Sequence, residues 1–323
     1  MSTKKRDSNI ELLRIVIMFL ILLLHANFLT FKRPTDYSLM SFSRCFAQAF
    51  SLTPVNIFVL ITGFFGSGFS IRKSLSLIYQ VIFCVVPISL ILVFCGIIDF
   101  DYHYFVIHKY WFINAYLVLL VFTPFLNGAV EKLSQKEFRS SLILLYIALF
   151  ICSRVGLTGV EVSGGYSIIW FLFLYLLGRY VKLYPPSYSK KQLIWITLVS
   201  CLCNSIVIFT LNIGDYVFPF IVIQSVSTLL LFSKFKFNNN FINKVGISTT
   251  MVYLINLHPA LWDFEKNQLI SFYQQFSIPV FLLCILLFCA AIFVFAILYD
   301  KLRLFTWNML DSLFKNKSHT VSK

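Results

Sequence analysis

Charge is scarce in this sequence. Only 12% of its 323 residues are Asp, Glu, Lys or Arg, about half the share of an ordinary water-soluble domain, and 59% are hydrophobic with a mean hydropathy of +0.83. That excludes a soluble globular protein. Polar low-complexity tracts and internal repeats are both missing, which removes disordered and solenoid architectures. No disulfide framework or zinc site is written into the eight cysteines (45, 84, 95, 152, 201, 203, 284 and 289), whose spacing matches neither. They read as small apolar packing residues, and Cys201-x-Cys203 is one residue short of a redox pair. Acidic residues number 13 against 27 basic ones, for a net charge of +14. In a soluble chain that excess would point to nucleic acid. Here the basic residues belong to the cytoplasmic loops of a membrane protein, and no nucleic-acid partner is expected.

What is abundant is long apolar runs. They cover residues 12–30, 45–66, 75–97, 110–128, 140–156, 166–182, 192–211, 215–233, 247–264 and 276–299, bounded by charges or by turn residues such as Pro185-Pro186 and Asn238-Asn239-Asn240. A bilayer crossing takes about 20 residues, so the expected fold is an all-α polytopic membrane protein of about ten transmembrane helices, with both termini cytoplasmic. On that assignment twenty basic residues lie in inside segments and six in outside loops (Lys32, Arg33, Arg44, Lys109, Arg154 and Lys266), with Arg14 inside the first span. The asymmetry follows the positive-inside rule. Acidic Asp36, Asp99, Asp101, Glu161, Asp215, Asp263 and Glu265 all fall outside. The first run is not a cleavable signal peptide, because Arg14 and His25 interrupt it and no small-residue cleavage site follows. The organisation read from the chain is a cytoplasmic N-terminus (1–11), a transmembrane domain (12–300) and a basic cytoplasmic tail (301–323), in a multi-pass protein of the inner (plasma) membrane.

Ionisable groups inside a span cost several kcal/mol unless paired or facing a cavity, which makes each a candidate for function. The first span holds Glu11, Arg14 and His25. Glu11 and Arg14 are three apart and pair across one turn. Arg14 and His25 are eleven apart, about 1100° of rotation, so they lie ~20° from one another around the helix and roughly 16 Å apart along it. One face therefore offers a cation and, at another depth, an imidazole able to act as a general base near neutral pH. Asn56 and Asn114 are polar groups in apolar runs, open to helix–helix hydrogen bonding or to lining a substrate path. Tyr110, Trp111 and Tyr116 sit at an expected outer interface, where aromatic belts and sugar stacking both use such residues. His103 and His108, near Asp99 and Asp101, offer no fixed third ligand, and no metal site is expected.

The acidic-x-x-Arg pattern followed by ten residues and His, in a span entering from the cytoplasm, resembles the acyltransferase 3 family of integral membrane acyltransferases. Further stretches resemble it too: residues 55–65 (Val-Asn-Ile-Phe-Val-Leu-Ile-Thr-Gly-Phe-Phe) with the basic Arg72-Lys73 after them, residues 110–116 with Pro124, residues 175–180, and residues 248–259. In the last of these Asn256 stands where members often have His, with His258 two residues on; after Arg72 the second arginine of the family's Arg-x-x-Arg is replaced by Leu75. The resemblance spans about residues 7–305. It implies transfer of an acyl group, with acetyl the expected one, from acyl-CoA to a hydroxyl of a surface or lipid-linked glycan. His25 would be the base, Arg14 with Glu11 would orient the donor or stabilise developing charge, and Arg72 and Lys73 would meet the anionic coenzyme. Asn56, Trp111, Tyr116, Asn256 and His258 are weaker substrate-lining candidates. No permanently bound cofactor is expected, acetyl-CoA being a substrate. The expected partners are acyl-CoA, the glycan acceptor and the bilayer, and homo-oligomerisation stays open. The rival reading is a transporter or flippase of a lipid-linked sugar, against which the chain shows no repeated halves.

Overall fold

A computed structural model describes residues 6–32, 34, 36–105, 109–156 and 162–320, with side chains beyond Ser312 and at positions 28 and 29 left aside. His108, Glu161, Arg33, Lys4, Lys5 and Lys323 lie outside the described residues. Those described form helices and no strands. The helices are α1 (Ser8–Leu24), continued by a π-turn (His25–Leu29), α2 (Leu39–Ser51), α3 (Pro54–Phe64), α4 (Ile71–Phe94), α5 (Trp111–Glu131), α6 (Gln135–Val155), α7 (Ile168–Leu183), α8 (Lys190–Leu211), α9 (Pro219–Ser233), α10 (Asn240–Gly246), α11 (Thr249–Asn256), α12 (Trp262–Gln275) and α13 (Ile278–Thr320).

Local chemistry sets many of the boundaries. Ser134 with Glu137 and Ser189 with Gln192 form reciprocal capping boxes at the starts of α6 and α8. Ser38 and Ser167 accept the backbone N–H groups of Ser41 and Trp170 at the starts of α2 and α7. Pro54 and Pro219 occupy first-turn positions of α3 and α9, where a missing N–H is harmless.

Seven helical stretches, among the described residues, are long and apolar enough to cross a membrane: Ser8–Asn27, Leu39–Phe64 (α2 and α3 together), Ile71–Phe94, Trp111–Glu131, Gln135–Val155, Lys190–Leu211 and Ile278–Ser312. Each matches one of the ten apolar runs. The other three runs become shorter pieces. Helix α7 has 16 residues and α9 has 15, or roughly 24 and 22 Å against the ~30 Å of a hydrocarbon core. The ninth run is broken after α11, which has only 8 residues. The chain is a multi-pass membrane protein with seven candidate spans among the described residues.

The helices form two compact units. Unit 1 comprises residues 1–70 and 111–243, and unit 2 residues 71–110 and 244–323. In unit 1, α3 is the hub, packed against α1, α7 and α9. Ten of its eleven residues are buried. It meets α7 backbone to backbone: a Cβ on Gly63 would fall 2.0 Å from the Tyr175 carbonyl oxygen, and one on Gly178 would fall 2.4 Å from that of Leu60. Small residues let helices approach where hydrophobicity alone gives no driving force. In unit 2, α4 and α11 pack against α13, and the joins are polar. Gln80 Nε2 donates to Asp300 Oδ1 at 3.1 Å, and Arg303 holds both Asp300 oxygens at 2.6 and 3.0 Å. Tyr299 donates to the Phe83 carbonyl and Tyr110 to that of Leu254, each at 2.9 Å.

Candidate active site

The N-terminus of α1 is tied down before its ionisable residues begin. Ser8 Oγ donates to Asn243 Oδ1 at 2.8 Å and accepts the Asn239 N–H at 2.9 Å, while Asn9 Nδ2 donates to the Phe232 carbonyl at 2.9 Å. One turn on, the buried Glu11 carboxylate takes Nη1 of both Arg6 and Arg14 on a single oxygen, at 3.0 and 3.1 Å. Its other oxygen is buried with no hydrogen-bond partner among the described residues. The Arg14 side chain keeps 30% exposure, so the guanidinium is neutralised on one side and open on another.

His25, half-buried, stands at the junction of α1 and the π-turn. Met18 and Ile21 lie between Arg14 and His25 on the same stripe and are 3% and 5% exposed. The stretch between them therefore packs against protein, with Arg14 and His25 half-buried at its two ends. After His25 the backbone is gripped by Arg44 of α2. Its Nε donates to Asn27 Oδ1 at 3.1 Å and its Nη2 to the Lys32 carbonyl at 2.6 Å, while Asn27 Nδ2 returns a bond to the Arg44 carbonyl at 3.0 Å. The sequence assigned Arg44 to an outer loop. Ser38 caps α2 earlier than the apolar run begins, and the arginine sits on the helix. A basic residue within an otherwise apolar helix is the signal that would have found it.

The other unit 1 candidates cluster around α3. Asn56 is fully buried, donating to the Tyr216 carbonyl at 2.9 Å and accepting from Trp170 Nε1 at 3.0 Å. Both polar ends of its amide therefore serve packing. Trp111 stacks on Tyr216, with centroids 6.2 Å apart, and packs on Tyr166 at 4.5 Å. The Tyr116 hydroxyl is 3.0 Å from that of Thr62. Residues from three of the family-like stretches, 55–65, 110–116 and 175–180, thus converge on one another in unit 1. Asn114 is exposed on α5.

In unit 2, Arg72 and Lys73 are exposed on the first turn of α4, and Arg72 pairs with Asp311 of α13. Asn256 ends α11 and donates to Glu265 Oε2 at 2.8 Å. Glu265, expected in an outer loop, is buried on α12. His258 is fully buried: Nδ1 accepts the Ala260 N–H at 3.1 Å, which leaves the proton on Nε2 to face the Val85 carbonyl at 3.3 Å. Both ring nitrogens are held by main chain, pinning the α11–α12 turn to α4.

In the loop after α4, His103 Nδ1 sits 2.7 Å from Asp101 Oδ1, and hydrogen bonds from the His103 backbone and ring hold that carboxyl below its ordinary value. No group of three His, Cys, Asp or Glu side chains among the described residues is placed to hold a metal.

A family model described as an acyltransferase domain matches residues 7–300. No curated protein and no solved structure matches the chain. The match covers both units and every candidate residue named above, and it gives the carrier reading no support. The chain belongs to the acyltransferase 3 family of membrane acyltransferases.

Proposed function

We propose that this acyltransferase moves an acetyl group from acetyl-CoA to a hydroxyl of a surface or lipid-linked glycan at the inner membrane, with ten membrane crossings and both termini in the cytoplasm. The observation that carries the reading is the α1 stripe, with Arg14 held on Glu11 at one depth and His25 at another, turned into protein. Three contacts between segments assigned to a common side support the topology. The start of α1 meets the turn after α9, Arg154 pairs with Asp215, and Lys190 lies 4.6 Å over the Phe235 ring.

In the proposed step His25 takes the proton of the acceptor hydroxyl as its oxygen attacks the thioester carbonyl. The C–S bond breaks, the coenzyme leaves as thiolate, and the imidazolium returns the proton to sulfur. Arg14, roughly 16 Å along the helix from His25, orients the anionic donor from its own depth. Arg72 and Lys73 attract the coenzyme phosphates, for which Asp311 is the resident competitor.

The test is transfer of labelled acetyl from acetyl-CoA into glycan by membranes carrying native protein or His25→Ala. Loss of label at unchanged protein level is expected. Retained transfer in His25→Ala refutes the base assignment, and a native protein that transfers no label from acetyl-CoA refutes the donor.

A further inference from the structure

The backbone directly after His25 departs from α-helix. Residues His25–Leu29 form a π-turn, in which the Thr30 N–H reaches back five residues to the His25 carbonyl. Thr30 Oγ1 donates to the same carbonyl at 3.2 Å. Such turns mis-aim carbonyls and are costly where water is scarce, and they recur at functional sites. Something must satisfy the freed groups.

Arg44 does so. It lies inside the apolar stretch Leu39–Phe64, where a guanidinium ordinarily needs a carboxylate. Its described hydrogen bonds go instead to the segment after His25: the side chain of Asn27 at 3.1 Å, the carbonyl of Lys32 at 2.6 Å and, more weakly, the carbonyl of Asn27 at 3.5 Å. The Phe31 ring lies 5.9 Å from the guanidinium carbon. Lys32, the far end of the clamp, has a left-handed φ of 58°, a conformation that costs a lysine energy and needs an external hold.

We propose that Arg44 is a positioning residue for the reaction, locking the π-turn through Asn27 and Lys32 and so fixing the height and rotation of the His25 imidazole. The inference rests on His25 being the base. Without the clamp the turn relaxes toward regular helix, and the carbonyl of His25 exchanges its partner Thr30 for the residue before it. A reacting group must be held within about 0.5 Å and 10–20° of its productive geometry, and a displacement near 1 Å costs about 10²-fold in rate. Lysine cannot replace Arg44, because one ammonium does not span two acceptors as a planar fork does.

The experiment uses the full chain in detergent. His25 is modified with diethyl pyrocarbonate across pH and quantified by peptide mass spectrometry, with exposed His103 as internal reference. In Arg44→Ala and Arg44→Lys the reactivity of His25 relative to His103 should shift severalfold, and acetyl transfer should fall about 10²-fold with the KM for acetyl-CoA unchanged. Unchanged relative reactivity in both variants, or restored transfer in Arg44→Lys, overturns the proposal. Should Arg44→Ala fail to fold, Asn27→Ala removes the two bonds through the Asn27 side chain and leaves the one to the Lys32 carbonyl, and it should shift the His25 reactivity in the same direction by a smaller factor. The labelling reads the clamp whether or not His25→Ala abolishes transfer, so failure of the base assignment and failure of the clamp give different results.

Discussion

Units 1 and 2 face one difficulty, holding helices together in surroundings as apolar as their side chains, and they meet it with opposite chemistry. Unit 1 removes side chains: Gly63 and Gly178 bring α3 and α7 into backbone contact. Unit 2 inserts charge: Asp300 and Arg303, 0% and 4% exposed, form a two-pronged ion pair on α13 that Gln80 ties to α4. Close contact collects many small dispersion gains and is spoiled by any added atom. A buried ion pair adds little net stability, but it penalises heavily any arrangement that leaves one partner alone. The first device fixes distance, the second fixes register.

The largest expected effect falls on unit 2. Replacing Asp300 by Asn should strand the Arg303 guanidinium and destabilise the unit by about 3–5 kcal/mol, read as faster hydrogen exchange in α4 and α13. The paired change Asp300→Leu with Arg303→Leu should recover most of that. If the single and double variants exchange alike, the ion pair does not set register and the contrast between the units collapses.

In unit 1, Gly178→Ala should cost about 1–3 kcal/mol by forcing α3 from α7, monitored as loss of protection in α3. Gly128→Ala is the control, since nothing lies within 4 Å of the position a Cβ would take. Equal effects from the two substitutions would show that close approach is not what holds the hub.

The smallest effect concerns the exposed loop before α2. Hydrogen bonds from Ser38 and then Ser41 hold the Asp36 carboxyl down to about 2 from 3.8. A lowered pKa means that the ionised form is favoured by folding. Its contribution is therefore complete above about 3.8 and is lost as pH falls through about 2. Acidification over that window should speed exchange of the Ser41 amide in the native protein and not in Asp36→Asn, and a flat profile in both would remove Asp36 from the cap.

Much of the fold was legible because apolar periodicity and charge asymmetry are read without knowing any contact. Each apolar run became a helix or a broken pair of helices. The shortening of α7 and α9 was not legible, since apolar content does not reveal where caps and prolines end a helix. The pairing of Glu11 with Arg14 followed from spacing within one helix, and the structure has it. Arg44 was misread as loop because the helix starts at Leu39, just after its serine cap and six residues before the run. Arg303 was assigned to the cytoplasmic tail, yet α13 continues through it without a break and buries it beside Asp300. Glu265 was placed outside for the same reason: charge near the end of an apolar run looks solvated until its partner, here Asn256, is known.

By itself the sequence determined the class of the molecule, its apolar segments and the shared stripe of Arg14 and His25, because these depend on composition and on helix rotation within one segment. Only the tertiary structure decided that the stripe turns into protein, that Asn56 spends its amide on the Tyr216 carbonyl and the Trp170 indole and His258 its ring on main chain, and that Arg44 grips the turn after His25. Those outcomes depend on which groups from distant parts of the chain meet, and a buried polar atom takes whatever partner the packing brings within reach.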